Sequence, residues 1–318
     1  MPKITNNISI AIEQLENDCV VAVPTETVYG LAANIYSEKG LGKIFSIKKR
    51  PTSSPLIVHI KSIENMHTVA KNIPEIALKI ANAFWPGPLT LILEKQDSIS
   101  SLITSGGEKV GVRVPNHTVL LELLNKVDFP IAAPSANPFG RISPTSSAHV
   151  VKMFSDEFDF VLEGGVCHHG IESTIIGFEN ERPIIYRLGS LSVADIEEIT
   201  GPILISNNTS SKVNFPGMLS KHYSPLTKIT VSSNITESIN QNAGKKIGLL
   251  LYQSAIIDSK IEHQEILSRN GNLTEAAVGL YHSLHLLDQL NLDIIIAEKF
   301  PNRELGTVIN DRLLRASK

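Results

Sequence analysis

The stretch Cys19-Val20-Val21-Ala22-Val23-Pro24-Thr25-Glu26-Thr27-Val28-Tyr29-Gly30 sets a short β-branched run against a polar loop. Residues 19 to 23 read as a strand, and Pro24 stops it. Upstream, Ile8 to Leu15 has helical spacing, so the local order is helix, strand, loop. A loop leaving a strand end with Thr25, Glu26, Thr27 and Tyr29 in it is a place where binding groups collect, and Glu26 there is a candidate general base.

The same reading extends outward on both sides. Leu41 to Lys49 predicts a helix stopped by Pro51, Pro55 to Ile60 a strand, and Pro74 to Phe84 a helix begun by its proline. Strands are expected at Leu89 to Glu94 and Val110 to Val114, and a helix at Val119 to Asn125. Ile131 to Ala133 is a buried strand leading into Pro134-Ser135-Ala136-Asn137. Phe160 to Glu163, Ser173 to Phe178 and Ile184 to Arg187 complete a strand-rich half that Val193 to Thr200 closes as a helix.

Composition then changes. Ser206 to Lys212 is rich in Ser, Asn and Thr and predicts a linker. Beyond it, strands at Lys228 to Val231, Ile247 to Tyr252, His263 to Leu267 and Leu292 to Ala297 alternate with helical stretches at Glu237 to Asn242, Thr274 to Leu290 and Leu305 to Ala316. Such alternation predicts a small parallel α/β layer. The expected division is a catalytic domain over 1–205, a linker over 206–227 and a C-terminal α/β domain over 228–318, in keeping with the two-domain prior for 318 residues.

Bulk properties narrow the class. Hydrophobic residues make up 42% and charged residues 19%, the balance of a globular chain able to bury a large core. A formal net charge of −3 argues against gripping nucleic acid by charge alone. Two cysteines are too few for a disulfide framework, and Cys19 reads as a small buried hydrophobe. Met1 to Asn7 is polar, without the order of a signal peptide, and apolar runs such as Leu292 to Ala297 fall far short of the about 20 residues of a membrane span, so a cytoplasmic protein is expected.

The chain has no GxxxxGK[ST] loop and no GxGxxG after a strand, so scattered groups must carry any nucleotide chemistry. Lys48, Lys49 and Arg50 either complement a helix C-terminus or, because Pro51 stops the helix there, face a polyphosphate. On the strand at Lys109 to Pro115, Lys109, Gly111 and Arg113 share one face. That face is either solvated or leaves room for an anion against the backbone at Gly111. His59, alternating with apolar neighbours, is a satisfied core histidine or a catalyst; Ser135 and Asn137 serve a ligand or ordinary turn chemistry. Cys167-His168-His169 lacks a second ligand cluster, and no metal site built by the protein is expected.

The joint order of motifs is more specific than any one of them. Pro24 to Leu31, Lys48-Lys49-Arg50-Pro51, Pro55 to Ile60, Trp85-Pro86-Gly87-Pro88-Leu89-Thr90, Val112-Arg113-Val114-Pro115, Pro134-Ser135-Ala136-Asn137 and Glu172-Ser173-Thr174-Ile175 resemble the YrdC-like threonylcarbamoyl-AMP synthase family over residues 1 to about 205. Phe215-Pro216-Gly217-Met218 and His222-Tyr223-Ser224-Pro225, followed by the α/β tail, look like its two-domain branch. The resemblance implies an α/β fold: a YrdC-like twisted mixed sheet whose helices help form a concave site, plus a smaller Rossmann-like parallel C-terminal domain. It implies a reaction of L-threonine, bicarbonate and ATP, with Mg2+ accompanying the nucleotide, giving threonylcarbamoyl-AMP and pyrophosphate. A downstream threonylcarbamoyl-transferase system would use the product, with tRNA as eventual acceptor and no strong direct nucleic-acid binding.

Carried over by residue, the resemblance places Arg113 on the threonine carboxylate, with Thr27, His59, the backbone of Ala133 and Ser173 completing that pocket. Arg50, Ser54, Lys109, Ser135, Ser143 and Arg187 would hold ATP. Lys48 and Asn137 would adjoin its phosphates, Lys48 and Arg50 acting as the catalytic cations. Tyr223 would reach in from the linker, and cutting near residue 206 would impair activity. The Cys167-His168-His169-Gly170 loop departs from the family's usual small or proline residues. Two other classes remain in view. An RNA-binding module is disfavoured by aromatics at 5%, and a carbamoyl-transfer domain for hydrogenase maturation would be expected beside CxxC pairs absent here.

Overall fold

Backbone hydrogen bonds sort the chain into two sheets, seen in a computed structural model that describes residues 1–206 and 222–318. The Phe215 to Met218 motif and residues 207–221 of the expected linker lie outside the described residues.

The first unit contains β1 (Lys3–Thr5), α1 (Ile8–Glu16), β2 (Val21–Val23), β3 (Gly30–Asn34), α2 (Glu38–Lys48), β4 (Ile57–His59), a 3-10 helix (Ile63–Thr68), β5 (Ala70–Lys71) and α3 (Glu75–Phe84). It continues through β6 (Leu89–Lys95), α4 (Ser101–Thr104), β7 (Lys109–Arg113), α5 (Thr118–Lys126), β8 (Ile131–Ala132), α6 (Ser147–Met153), β9 (Phe160–Leu162), β10 (Thr174–Glu179), β11 (Arg182–Arg187), α7 (Val193–Thr200) and β12 (Leu204–Ile205). Its strands form one mixed sheet in the order β1-β9-β2-β3-β8-β4-β7-β6-β10-β11-β12, with β5 beside β6.

Strand alternation gives this sheet two apolar faces. Val21 and Val23 join α1 and α5 through Ala11, Leu15, Leu120 and Leu123. Ala22, Leu31 and Ala33 face the other way, toward Leu41 and Ile44 of α2. Helices therefore cover both sides, and the strand ends are left to the loops. Strand register brings two polar side chains together at one such end: β4 and β7 run parallel with His59 paired to Arg113, while β8 lies antiparallel on the other side of β4.

The second unit contains β13 (Ile229–Ser232), α8 (Ile235–Gln241), β14 (Ile247–Leu251), β15 (Ile261–Ile266), α9 (Leu273–Asp288), β16 (Ile294–Glu298) and α10 (Glu304–Ala316). All three of its strand pairings are parallel, in the order β13-β16-β14-β15. The five residues of β14 are all buried, as a central strand covered on both faces requires.

The units share a hydrophobic cluster. Val28, Ile142, Ile171 and Tyr223 pack with Ala277, Leu280 and Tyr281 of α9 and Val308 and Ile309 of α10. Gly170 permits the closest approach, with φ at +68° and a Cβ there falling 2.3 Å from the Val278 carbonyl oxygen. Only glycine meets both conditions. The unusual Cys167 to Gly170 loop is thus the place where the first unit docks on α9.

Candidate active site

The segment from Thr25 to Gly30, the strand ends at Ile57, His59 and Arg113, and the turn from Ala133 to Ser135 enclose a cavity of about 600 Å3. Arg50, Glu172, Ser173, Arg187, His222 and Tyr223 also line it. Two local devices hold the first wall in shape. Thr25 Oγ1 donates to the Val28 carbonyl at 2.7 Å and accepts from the Thr27 and Val28 amides, so the loop folds back on its own side chain. The Leu31 amide then bonds the Pro134 carbonyl and the Ala136 amide the Tyr29 carbonyl, stitching the loop to the turn after β8.

Arg113 is the organising cation of that wall. It is 4% exposed, and its Nη1 donates to Thr27 Oγ1 at 3.0 Å while Nε donates to the Gly87 carbonyl at 3.3 Å. Its Nη2 lies 2.7 Å from Glu26 Oε1, but off the line of a hydrogen bond; Nη2 and both Glu26 oxygens have no aligned partner among the described residues. The guanidinium is therefore anchored by charge and keeps donor directions for a ligand carboxylate. Burial works against an ionised Glu26, yet the nearby Arg113 charge outweighs it and holds its pKa below the usual range. Burial, reinforced by the Arg113 charge, pushes His59 down to about 3, so it is a neutral imidazole at physiological pH.

The opposite wall is cationic as well. Helix α2 ends with Lys49 in the left-handed region at φ 51°, which turns Arg50 off the helix axis into the cavity. Arg50 Nη2 donates to the Pro55 carbonyl at 2.8 Å and Nε to the Ser54 carbonyl at 3.2 Å, and burial lowers it to about 10. Arg187 donates from Nε and Nη2 to the Ser173 carbonyl, and from Nη2 to Ser173 Oγ at 3.1 Å. Ser173 Oγ is also 2.8 Å from Thr90 Oγ1, so this serine is fixed from three sides.

Tyr223 closes the cavity. It is 1% exposed, its hydroxyl has no partner among the described residues, and φ is +66°. A left-handed backbone costs a bulky side chain about 1 kcal/mol or more, so packing must hold this ring in place. His222 touches it edge-on at 4.1 Å, and burial pushes that histidine down to about 3.

The cavity gathers Thr27, Arg50, His59, Arg113, Ala133, Ser135, Ser173, Arg187 and Tyr223 from the sequence expectation. Five others do not line it. Lys48 is 1% exposed and donates to the Ser135 and Asn137 carbonyls, bracing the turn from behind, while burial pushes its pKa well down. Asn137 donates to the Pro138 and Arg141 carbonyls and leaves a buried Oδ1 without a partner among the described residues. Ser54 contributes its carbonyl to Arg50. Ser143 donates to Glu172 Oε1 at 2.8 Å.

Lys109 is the clearest correction: its ammonium bonds the Phe178 carbonyl at 3.2 Å, away from the cavity. The space over Gly111 is no anion cradle either, because a Cβ there would already touch Ile92, Thr90 and Ile57 side chains at 3.4 to 3.5 Å. A central strand has its faces packed, so an alternation of cations along it does not make an open groove.

Sequence reasoning assigned no role to Glu172 or His222, although both stand inside motifs that carry the family resemblance. It had no signal for Arg312 or Tyr281. Arg312 is 1% exposed on α10 and donates from Nε to Glu172 Oε2 at 3.1 Å and from Nη2 to the Leu188 carbonyl at 2.8 Å. The Tyr281 hydroxyl lies 3.0 Å from both Glu172 oxygens.

Three buried arginines, Arg50, Arg113 and Arg187, thus line one cavity at the strand ends, a setting suited to anionic ligand groups. The family model described as "Telomere recombination" matches residues 13–189, and that described as "Threonylcarbamoyl-AMP synthase, C-terminal domain" matches residues 191–318. The chain is 36% identical to the threonylcarbamoyl-AMP synthase of Pyrococcus abyssi over 98% of its length and 94% of that protein. It is likewise 36% identical to that of Bacillus subtilis, over 98% of this chain and 92% of the relative. The crystal structure of P. abyssi Sua5 complexed with L-threonine superposes with a TM-score of 0.90 at 37% identity, covering 98% of this chain and 94% of that one. The chain belongs to the two-domain threonylcarbamoyl-AMP synthase family.

Proposed function

We propose that this chain is an L-threonylcarbamoyl-AMP synthase, a nucleotidyltransferase that makes threonylcarbamoyl-AMP, pyrophosphate and water from L-threonine, bicarbonate and ATP, for tRNA threonylcarbamoyladenosine modification. The observation that carries it is Arg113, anchored on Thr27 and Glu26 beside neutral His59, in a cavity whose other wall presents Arg50 and Arg187. In this reading Arg113 takes the threonine carboxylate as a fork, and Thr27, His59, the Ala133 backbone and Ser173 shape the rest of the amino-acid pocket. The neutral threonine amine attacks the carbon of bicarbonate and water leaves. The carbamate oxygen then attacks the α-phosphorus and pyrophosphate departs. Arg50, Arg187 and Ser135 hold the nucleotide in line and neutralise charge as it develops, and Tyr223 excludes water. Lys48 and Asn137 support that wall from behind, and Ser54 and Ser143 act through Arg50 and Glu172.

Magnesium would supply charge neutralisation on the phosphates. The two carboxylates beside the cavity, Glu26 and Glu172, are each taken by an arginine. Among the described residues neither of these carboxylates is left free for the ion, which fits a cation that arrives on the nucleotide and keeps its waters. The division into a catalytic unit over 1–205, a connecting segment over 206–227 and an α/β unit over 228–318 is supported by the two separate sheets, while the two family matches divide the chain earlier, at 189/191. No helix of the described residues is long and apolar enough to cross a membrane, and we place the enzyme in the cytoplasm with its tRNA-modifying partners. Pyrophosphate release assayed with threonine, serine or no amino acid, with and without bicarbonate, tests the reading. Release should need threonine and bicarbonate together; release that needs neither overturns it.

A further inference from the structure

We propose that Arg312 and Tyr281, on α10 and α9 of the second unit, are positioning residues for the nucleotide side of the cavity: they hold the Glu172 carboxylate away from the bound phosphates and away from Arg187.

Among the described residues Glu172 is the one carboxylate lining the cavity, and a carboxylate there opposes a polyphosphate. The structure neutralises it from the side facing the second unit. Oε1 accepts from Ser143 Oγ at 2.8 Å, Oε2 from Arg312 Nε at 3.1 Å, and the Tyr281 hydroxyl sits 3.0 Å from both oxygens. Arg312 is further fixed by its bonds to Asp311 and the Leu188 carbonyl, and its guanidinium carbon lies 5.1 Å from the centre of the Tyr223 ring. The Tyr223 and Tyr281 rings stack at 5.7 Å. One buried guanidinium therefore touches both Glu172 and the ring that closes the cavity.

The arrangement matters because of what Glu172 would do without it. Glu172 is next in sequence to Ser173, whose carbonyl and hydroxyl receive Arg187. Burial opposes the Glu172 charge, and Arg312 and then Arg187 are the cations that keep it ionised. With Arg312 gone, Ser143 and Tyr281 still bond the carboxylate, but Arg187 is the cation left to balance its charge. Arg187 would be drawn from the nucleotide, and uncompensated negative charge would face the phosphates. A catalytic sheet that supplies its own threonine pocket in this way depends on a second domain for its nucleotide pocket.

This inference rests on the nucleotide reading of the cavity and is tested by binding instead of turnover. ATP with magnesium, and separately threonine, are titrated calorimetrically into the full chain. Arg312→Met is expected to weaken ATP by about tenfold or more while threonine affinity stays within about twofold. Adding Glu172→Gln to Arg312→Met should recover most of the ATP affinity, since no charge is then left to balance. Tyr281→Phe, which removes one hydroxyl, should weaken ATP by roughly two- to fivefold; if Arg312→Met does not fold, this variant decides. Unchanged ATP affinity in the folded variants overturns the proposal, as does a joint loss of ATP and threonine that Glu172→Gln fails to relieve. A wild-type chain that binds both ligands yet releases no pyrophosphate refutes the proposed reaction alone; one that binds no ATP refutes both.

Discussion

The two walls of the cavity are built on different principles. Around Arg113, the hydrogen-bond, ion-pair and register partners among the described residues come from the first unit: Thr27 and Glu26 from the loop after β2, Gly87 from the turn before β6, and His59 as the register partner on β4. Around Glu172, the contacts cross between units, with Ser143 on one side and Arg312 and Tyr281 on the other. The first wall is stiff because a β-sheet fixes its neighbours. The second is complete only while two hydrophobic units stay packed. The contacts that hold Arg113 are thus intrinsic to the first unit, and those that hold Glu172 belong to the assembled chain.

The harshest way to break that contrast is to cut the chain at residue 206. The fragment would expose Val28, Ile142 and Ile171 and leave Glu172 without Arg312 and Tyr281. Pyrophosphate release should fall by roughly a hundredfold or more, an effect of several kcal/mol. A fully active fragment would show that the second wall needs no second unit. Next in size, Arg113→Ala should weaken threonine by about a hundredfold, the worth of a buried bidentate charge contact, while leaving ATP affinity largely intact. Equal threonine affinity in variant and wild type, by calorimetry, would remove Arg113 from the substrate.

Arg50→Ala sharpens the contrast from the other side. ATP binding should drop by about tenfold with threonine little changed, and a reversed pattern would exchange the two walls. A further expectation concerns the joint between units. His149 on α6 stacks on His285 of α9 at 4.1 Å, and burial pushes these two down to about 3 and about 4. His59 and His222 are likewise lowered to about 3. An unfolded chain takes up these protons below about 6.5 while the folded chain resists, so stability is full above that pH and is lost as pH falls toward 4. Each such histidine withholds on the order of 2 kcal/mol by pH 5. The urea midpoint should be clearly lower at pH 5 than at pH 7.5, and a flat profile across that window would contradict the buried neutral imidazoles. The smallest effect is expected from Lys109→Ala: with its ammonium on the Phe178 carbonyl, ATP affinity should move less than twofold. A tenfold loss would return Lys109 to the site.

Most regular elements were legible where side chains announced them. The α1 helix, β6, β7, α7 and the alternating elements of the second unit fall where apolar spacing puts them, because periodicity of 3.6 or 2 is imposed by burial on one face. Strand β3 was not legible. Its Gly-Leu-Ala-Ala-Asn carries no β-branched residue, yet Leu31, Ala32 and Ala33 are fully buried between β2 and β8. Small residues are used there because helices press on both faces of the sheet, a demand that local propensity does not express.

The site divides along the same line. Motif order in the sequence determined the family, and the resemblance it carries grouped Thr27, His59 and Arg113, which line one cavity. Those features depend on short segments held by neighbouring strands, so the chain carries them locally. Tertiary structure alone decided that Lys48 braces a turn, that Lys109 points elsewhere, and that Glu172 is balanced by an arginine 140 positions later. A charge has a role only in relation to what surrounds it, and in a buried site the surroundings come from whichever surface packs against it. Here that surface is α9 and α10, which nothing in the local sequence around Glu172 specifies.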